Sequence, residues 1–357
     1  MPESTPKVSL VIPGRNCAAT LRRCLDSVVP LLHSGELAEI VFVDDGSTDE
    51  TSQIANQYPV QLVTGSGQGP GAARNLGWRT AKSELIWFID SDCVAEQDAL
   101  RWLIFRMMQH DIQGVGGSYS NLFPECLLAR LIHEEIVARH EQMQAEVDFL
   151  GGFNVLYRRS ALESAQGFDE LEVNGPGRPG AEDCDLSFRI SRRGDRLGFE
   201  RRSVVGHHHP RSLWRYLRSQ FIHGLWRVRL YVRHQGKLGG DSYSGILDHM
   251  QPMFALIVFF SGVLAWCEPF QWVFAISCIA TFGCGVPMYW RLRKRVVAGA
   301  LGFLPLSAVR SLTRAFGLIS GSLSCLVRPP ARVTINPVSS MVPPALKATQ
   351  SLEVPSS

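Results

Sequence analysis

The 357-residue chain, 45% hydrophobic and 19% charged, is long enough for two or three structural units with ample core. Its formal charge of +3 excludes a generally basic nucleic-acid binder, because the positive charge is local: the 40 residues 201–240 hold eight Arg and one Lys without an Asp or Glu, which fits a segment lying on anionic lipid. Nine cysteines occur singly, with no Cys-x-x-Cys pair, and this excludes a disulfide framework or a zinc site.

Met1 to Lys7 is polar and leads directly into an apolar run, so no secretory signal is expected and the domain that follows is expected in the cytoplasm. Short apolar runs at 8–13, 40–43, 60–64 and 85–89 read as strands, separated by helical patterns at 18–32, 49–57, 71–82 and 97–110. Such alternation predicts a largely parallel sheet covered on both faces. Ser47 or Thr48 with Asp49 is expected to cap the second helix. A charged helical excursion over 125–146 precedes an apolar, glycine-containing stretch, 147–159, that returns to the sheet. Glycine and proline at 174–180 predict a mobile loop. It ends at a helix beginning near Glu182, with Leu186, Ile190 and Cys184 on an apolar side and Arg189, Arg192 and Arg193 gathered toward its end, as the helix dipole favours.

Leu213, Leu217, Phe221 and Leu225, interspersed with Arg211, Arg215 and Arg218, give the pattern of an amphipathic interfacial helix. Residues 270–290 then run without a charge, and a helix of that length spans a hydrocarbon core of about 30 Å. The apolar stretch 253–267 lies just before it, across a Glu268-Pro269 turn, so a transmembrane hairpin is predicted. Basic clusters on both flanks predict a cell-membrane anchor with both ends, and the amino-terminal domain, on the cytoplasmic side. Residues 296–327 are apolar but broken by Pro305, Arg310 and Arg314, leaving a third span, a re-entrant segment or an interfacial helix open. A Pro- and Ser-rich tail is expected to be disordered. The domains so delimited are 1–202 (catalytic), 203–245 (interfacial), 246–328 (membrane-associated) and 329–357 (tail).

Asp90-Ser91-Asp92 places two carboxylates at the exit of the 85–89 strand, about forty residues after Asp44-Asp45. Ligands of open α/β sheets bind at that carboxyl edge. A hard Mg²⁺ or Mn²⁺ ion takes one or two carboxylates when phosphates supply its other ligands, so this pattern suggests a divalent cation holding a nucleotide diphosphate.

The strings at 8–16 (VSLVIPGRN), 43–49 (VDDGSTD), 69–77 (GPGAARNLG), 90–92 (DSD), 151–160 (GGFNVLYRRS) and Glu182-Asp183 occur in this order. Together they resemble a family 2 glycosyltransferase over roughly residues 7–230. The resemblance implies an α/β A-type glycosyltransferase fold with a nucleotide-diphosphate sugar as donor. It implies that Pro13 borders the nucleotide base, that Asp44 and Asp45 belong to the donor site with Asp45 accepting from a base N–H, and that Arg74 reaches toward donor phosphate. Asp90 and Ser91 would face the ribose or its water shell. Asp92 is the expected metal ligand, joined by a late histidine, His207 with His209 as the alternative; a histidine ligand favours Mn²⁺. Asp183 matches the family's base, which takes the acceptor's hydroxyl proton, so that displacement opposite the leaving group inverts the anomeric carbon. Glu182 would orient that base or bind acceptor, and Gly151, Gly152 and Asn154 match the acceptor side.

Two departures stand out. The Gln-x-x-Arg-Trp string of processive members is reduced to Gln220-Phe-Ile-His-Gly224, which argues against processive synthesis, and Gly14-Arg15 replaces a small residue and Tyr. The sequence therefore predicts a membrane-anchored inverting enzyme that moves one sugar to a lipid-linked glycan, a polyprenyl phosphate or another membrane-proximal acceptor, for cell-envelope glycan. Its rivals are a non-catalytic nucleotide-sugar-binding membrane scaffold and a nucleotidyltransferase.

Overall fold

The computed structural model describes residues 6–109, 111–170, 180–237, 240–296 and 299–331. Most of the predicted 174–180 loop, and the tail from 332 onward, lie outside the described residues.

The first half follows the predicted alternation: β1 (Val8–Gly14), α1 (Ala18–His33), β2 (Glu39–Asp44), α2 (Thr51–Ala55), β3 (Gln61–Thr64), α3 (Pro70–Thr80) and β4 (Leu85–Ile89). After it come β5 (Cys93–Ala95), α4 (Ala99–Met107), β6 (Ile112–Asn121), α5 (Leu127–His140), β7 (Glu146–Val147), β8 (Asn154–Arg158), α6 (Arg159–Ser164), α7 (Glu182–Arg192) and β9 (Arg196–His207). Among the described residues these strands form one sheet in the order β3-β2-β1-β4-β8-β6-β9-β5, with β7 also on β9. The β3-β2-β1-β4 half is parallel, while β8 runs antiparallel to β4 and β6. β4 is buried along its whole length, as a continuous apolar run in a central strand requires. The parallel strands end at one edge, where the turns carrying Asp44-Asp45 and Asp90-Ser91-Asp92 collect.

The sheet has a core on each face. Trp87, Leu10, Ile12 and Phe42 pack beneath α1, whereas Phe88, Val11 and Tyr157 meet Leu186 and Ile190 of α7. The expected apolar side of α7 is thus two sides, because Cys184 joins Phe188 and Leu230 in a separate cluster against the next helix. The structure corrects the cap of α2. The Ser47 and Thr48 side chains are drawn elsewhere, Ser47 Oγ accepting from Asn16 N–H at 2.8 Å and Thr48 Oγ1 donating to Asn16 Oδ1 at 3.3 Å, leaving Asp49 to accept from Thr51 N–H at 3.1 Å. The sheet also runs past the expected boundary at 202, since β9 continues to His207.

Four long helices follow: α8 (Leu213–Arg233), α9 (Ile246–Val263), α10 (Glu268–Leu292) and α11 (Phe303–Val327). The stripe expected to face lipid from α8 is in part an interhelical contact. A Cβ on Gly317 would lie 2.2 Å from Phe221 O, and one on Gly321 2.3 Å from Leu225 O, so glycines let α11 press onto the backbone of α8. Leu213 and Trp214, at the start of α8, remain exposed. α9 and α10 form an antiparallel hairpin, long and apolar enough to cross a membrane. Met253, Phe260, Ile276 and Ile279 point outward, with Trp266 and Trp272 exposed at the tip and Trp290 at the base beside Arg291. An exposed apolar surface ending in tryptophans fits lipid, and the two apolar helices support association with a membrane. α11 is tied to the sheet domain by Arg310, which pairs inside the protein with Glu135 of α5.

Candidate active site

Three loops at the parallel edge are knitted together. Asp45 is buried, and its carboxylate accepts from Gly67 N–H (2.8 Å), Gln68 N–H (3.2 Å) and Gly69 N–H (2.7 Å). A carboxylate surrounded by three backbone amides fixes the glycine loop that opens α3. Asp44 is likewise occupied, by Ser47 N–H and the Ser52 hydroxyl. Pro13 is buried in β1, while the backbone after it turns sharply, with Asn16 in the left-handed region (φ 50°). Asn16 was not singled out from the sequence, yet it accepts from Thr48 N–H and donates its own N–H to Ser47 Oγ at 2.8 Å. Arg15, which departs from the family pattern, spans to Gly67 O at 3.4 Å. Ser91 is half-buried, near the Cys17 thiol.

Arg74 lies at the centre. One amino group donates to Glu182 Oε1 (2.8 Å) and the other to Asp90 Oδ1 (2.7 Å). Burial disfavours its charge, but Asp90, Glu182 and Asp183 outweigh that and raise its pKa. Without a ligand, Arg74 and Glu182, expected toward donor phosphate and acceptor, neutralise each other as a buried pair. Gly152 fits beneath this group: a Cβ there would stand 3.0 Å from Arg74 Nη2. Gly152 N–H also donates to Asp183 Oδ2 at 3.2 Å, so the segment 151–152 adjoins the base candidate.

Asp183, at the first turn of α7, takes its second bond from Cys184 N–H at 2.7 Å. Burial and then Glu182 push its pKa up to about 6, with Arg74 opposing. Asn154 is fully buried; it accepts from Trp87 Nε1 (3.0 Å) and donates to Ser203 Oγ (3.1 Å), joining β4, β8 and β9.

Asp92 and His207 meet because β5 pairs with β9, Cys93 opposite His207. His207 Nε2 lies 3.7 Å from Asp92 Oδ2, and Asp92, Cys93 and His207 offer ligand atoms within 4.8 Å of one another. Burial raises the Asp92 carboxyl, with His207 opposing. A carboxylate oxygen beside an imidazole nitrogen fits Mn²⁺ or Mg²⁺ with phosphates completing the shell, whereas the buried thiol is a soft donor that such ions decline. His208 Nδ1–H donates to the Asp92 carbonyl (2.7 Å). The alternative ligand, His209, is buried against His207 and His133, and burial with these neighbours lowers its pKa to about 3.

The edge thus gathers, within one chain of contacts, a glycine loop set by Asp45, the Arg74 junction, a half-buried carboxylate of raised pKa, and an oxygen–nitrogen cation site. Residues 9–165 match the family described as "Glycosyl transferase family 2". The matched residues make up less than half of the chain. The chain is similar to the probable glycosyltransferase YdaM of Bacillus subtilis, 26% identical over 72% of this chain and 64% of that protein. It is also similar to the glycosyltransferase AglE of Haloferax volcanii, 25% identical over 65% of this chain and 76% of the relative. The match spans slightly less than two thirds of YdaM's length. Among solved structures, the mannosyltransferase PcManGT of Pyrobaculum calidifontis, in complex with GDP-Man and Mn²⁺, superposes over 91% of this chain and 88% of its own, with TM-score 0.53 and 19% identity. At that identity the likeness is one of fold: an A-type nucleotide-sugar transferase fold followed by long apolar helices.

Proposed function

We propose that the chain is a membrane-anchored, inverting, metal-dependent glycosyltransferase that moves one sugar from a nucleotide-diphosphate donor to a membrane-proximal acceptor on the cytoplasmic face, a lipid-linked glycan or polyprenyl phosphate for the cell envelope. The observation that carries this reading is Asp183: a carboxylate at a helix start, its pKa raised to about 6, beside the open glycine backbone of 151–152 and linked through Arg74 to Asp90. Such a group is ionised near neutral pH yet basic enough to take a proton from an acceptor hydroxyl. Asp92 and His207 would hold the divalent cation, which when bound neutralises charge on the departing diphosphate. The loops 14–17, 45–49 and 65–69 would bind the nucleotide, with Arg15 replacing the aromatic contact of other members.

A lipid acceptor follows from reach. The apolar hairpin holds the domain at the bilayer, and α8 joins the catalytic helix to that anchor: His234 Nε2 donates to Asp185 Oδ1 at 2.8 Å, both side chains fully buried. YdaM and AglE, named as glycosyltransferases, support transfer over a scaffold role. Membranes containing the protein are incubated with radiolabelled UDP- and GDP-sugars, with Mn²⁺, Mg²⁺ or EDTA. Label entering the organic phase with release of nucleoside diphosphate supports the proposal. Release of pyrophosphate selects a nucleotidyltransferase, and donor binding without any turnover selects the scaffold.

A further inference from the structure

His207, His209 and His133 form a row. His207 Nδ1 lies 3.3 Å from His209 Nδ1, and His209 Nε2 lies 3.4 Å from His133 Nδ1. Tyr119 wedges the rings, with centroids 4.8 Å from His207 and 5.7 Å from His209, and itself stacks on Phe153 and His140. The backbone is pinned too, by His209 N–H to His207 O at 3.0 Å.

A neutral imidazole has one N–H and one lone pair, so two contacts in series admit only two proton orders. In one, His133 donates to His209 and His209 to His207, which leaves the His207 proton on Nε2, facing Asp92 and blocking a cation. In the other, His207 Nδ1–H donates to His209 Nδ1, and His209 Nε2–H donates to His133 Nδ1. His207 Nε2 then presents a bare lone pair toward Asp92 Oδ2.

Resting on the proposed metal site, we propose that His209 and His133 are positioning residues that fix the His207 tautomer and ring for a divalent cation. Partners of this kind behind a metal-bound histidine usually affect affinity by about 10–100-fold. The adjacent His208 cannot substitute, since its Nδ1–H is spent on the Asp92 carbonyl.

The test uses the full chain in detergent, titrated with Mn²⁺ alone and followed by the EPR signal of free ion. His209→Phe keeps a ring but removes both contacts and should weaken binding by about 10–100-fold. His209→Asn, whose carboxamide oxygen can accept where Nδ1 does, should restore most of it, and His133→Phe should cost less than His209→Phe. Long-range ¹H–¹⁵N spectra of histidine-labelled protein with Mg²⁺ should show His207 protonated at Nδ1 and bare at Nε2. Unchanged Mn²⁺ affinity in His209→Phe overturns the proposal. If that variant does not fold, an Nε2-protonated His207 in the Mg²⁺-bound unsubstituted chain overturns it instead. His207→Ala separates the two levels: if it binds Mn²⁺ normally the metal site itself fails, whereas if it loses binding and His209→Phe does not, only the relay fails.

Discussion

Arg74 donates to Glu182 across 2.8 Å although 108 positions separate them in the chain. Both side chains are under a tenth exposed, 6% and 7%. The pair joins α3 to α7 and so sets where the neighbouring Asp183 stands.

Arg74→Ala leaves Glu182 buried without its cation. The expected loss is about 3–5 kcal/mol, the usual cost of breaking a buried ion pair from one side. Chemical denaturation of the purified chain measures it. Arg74→Lys should recover part of that stability and little transfer, since an ammonium cannot span Glu182 and Asp90 with a planar fork. Equal stability in Arg74→Ala and the parent would show that the junction contributes nothing.

Asp183→Asn should reduce sugar transfer by about 10²–10⁴-fold, the range for a lost general base, with donor binding retained. Because burial and Glu182 raise the Asp183 pKa to about 6, transfer in the parent should rise through pH 6 and level off above it. The stability sign is the opposite. The folded carboxyl holds its proton more tightly than the unfolded one, so ionisation costs stability as pH rises from the ordinary carboxylate range through about 6. Asp183→Asn should therefore unfold at higher denaturant concentration than the parent at pH 8, and at a similar one at pH 4.

Gly77 faces the sheet from α3, and a Cβ there would stand 2.3 Å from Val11 Cγ1. Gly77→Ala should cost about 1–3 kcal/mol by overpacking, despite alanine's better helix propensity. An alanine that raised the melting temperature would mean that α3 can lift off the sheet freely.

Glu135 and Arg310 pair between α5 and α11, 175 positions apart. Burial pushes the Glu135 carboxyl up, but Arg310 and Arg139 outweigh it and hold it down at about 2. Arg310→Met alone should destabilise the chain by about 3–5 kcal/mol, and adding Glu135→Leu should restore much of that loss. Strictly additive losses in the double variant would show that the two residues do not act as a pair.

The elements of the first sheet half were legible because apolar runs of strand length alternate with amphipathic runs, and 85–89 emerged with the limits of β4 itself. The membrane hairpin was legible for the same reason, since hydropathy is summed along the chain. β5 and β9 were not read from the sequence. β5 has only three residues, and β9 includes Glu200, Arg201 and Arg202, held at a bulge against β6 that no periodicity announces.

The ordered acidic motifs pointed to the family and brought forward Asp183, Asp92 and His207. What sequence could not show was which partners these polar groups would find inside the protein: folding brings Asp45 to the backbone amides of 67–69, Asn154 to Trp87 and Glu182 to Arg74, because buried polar groups take hydrogen-bond partners. Neighbours along the chain reveal which chemistry is possible. Only the tertiary structure, by bringing distant segments into contact and excluding water, decides which groups remain to perform it.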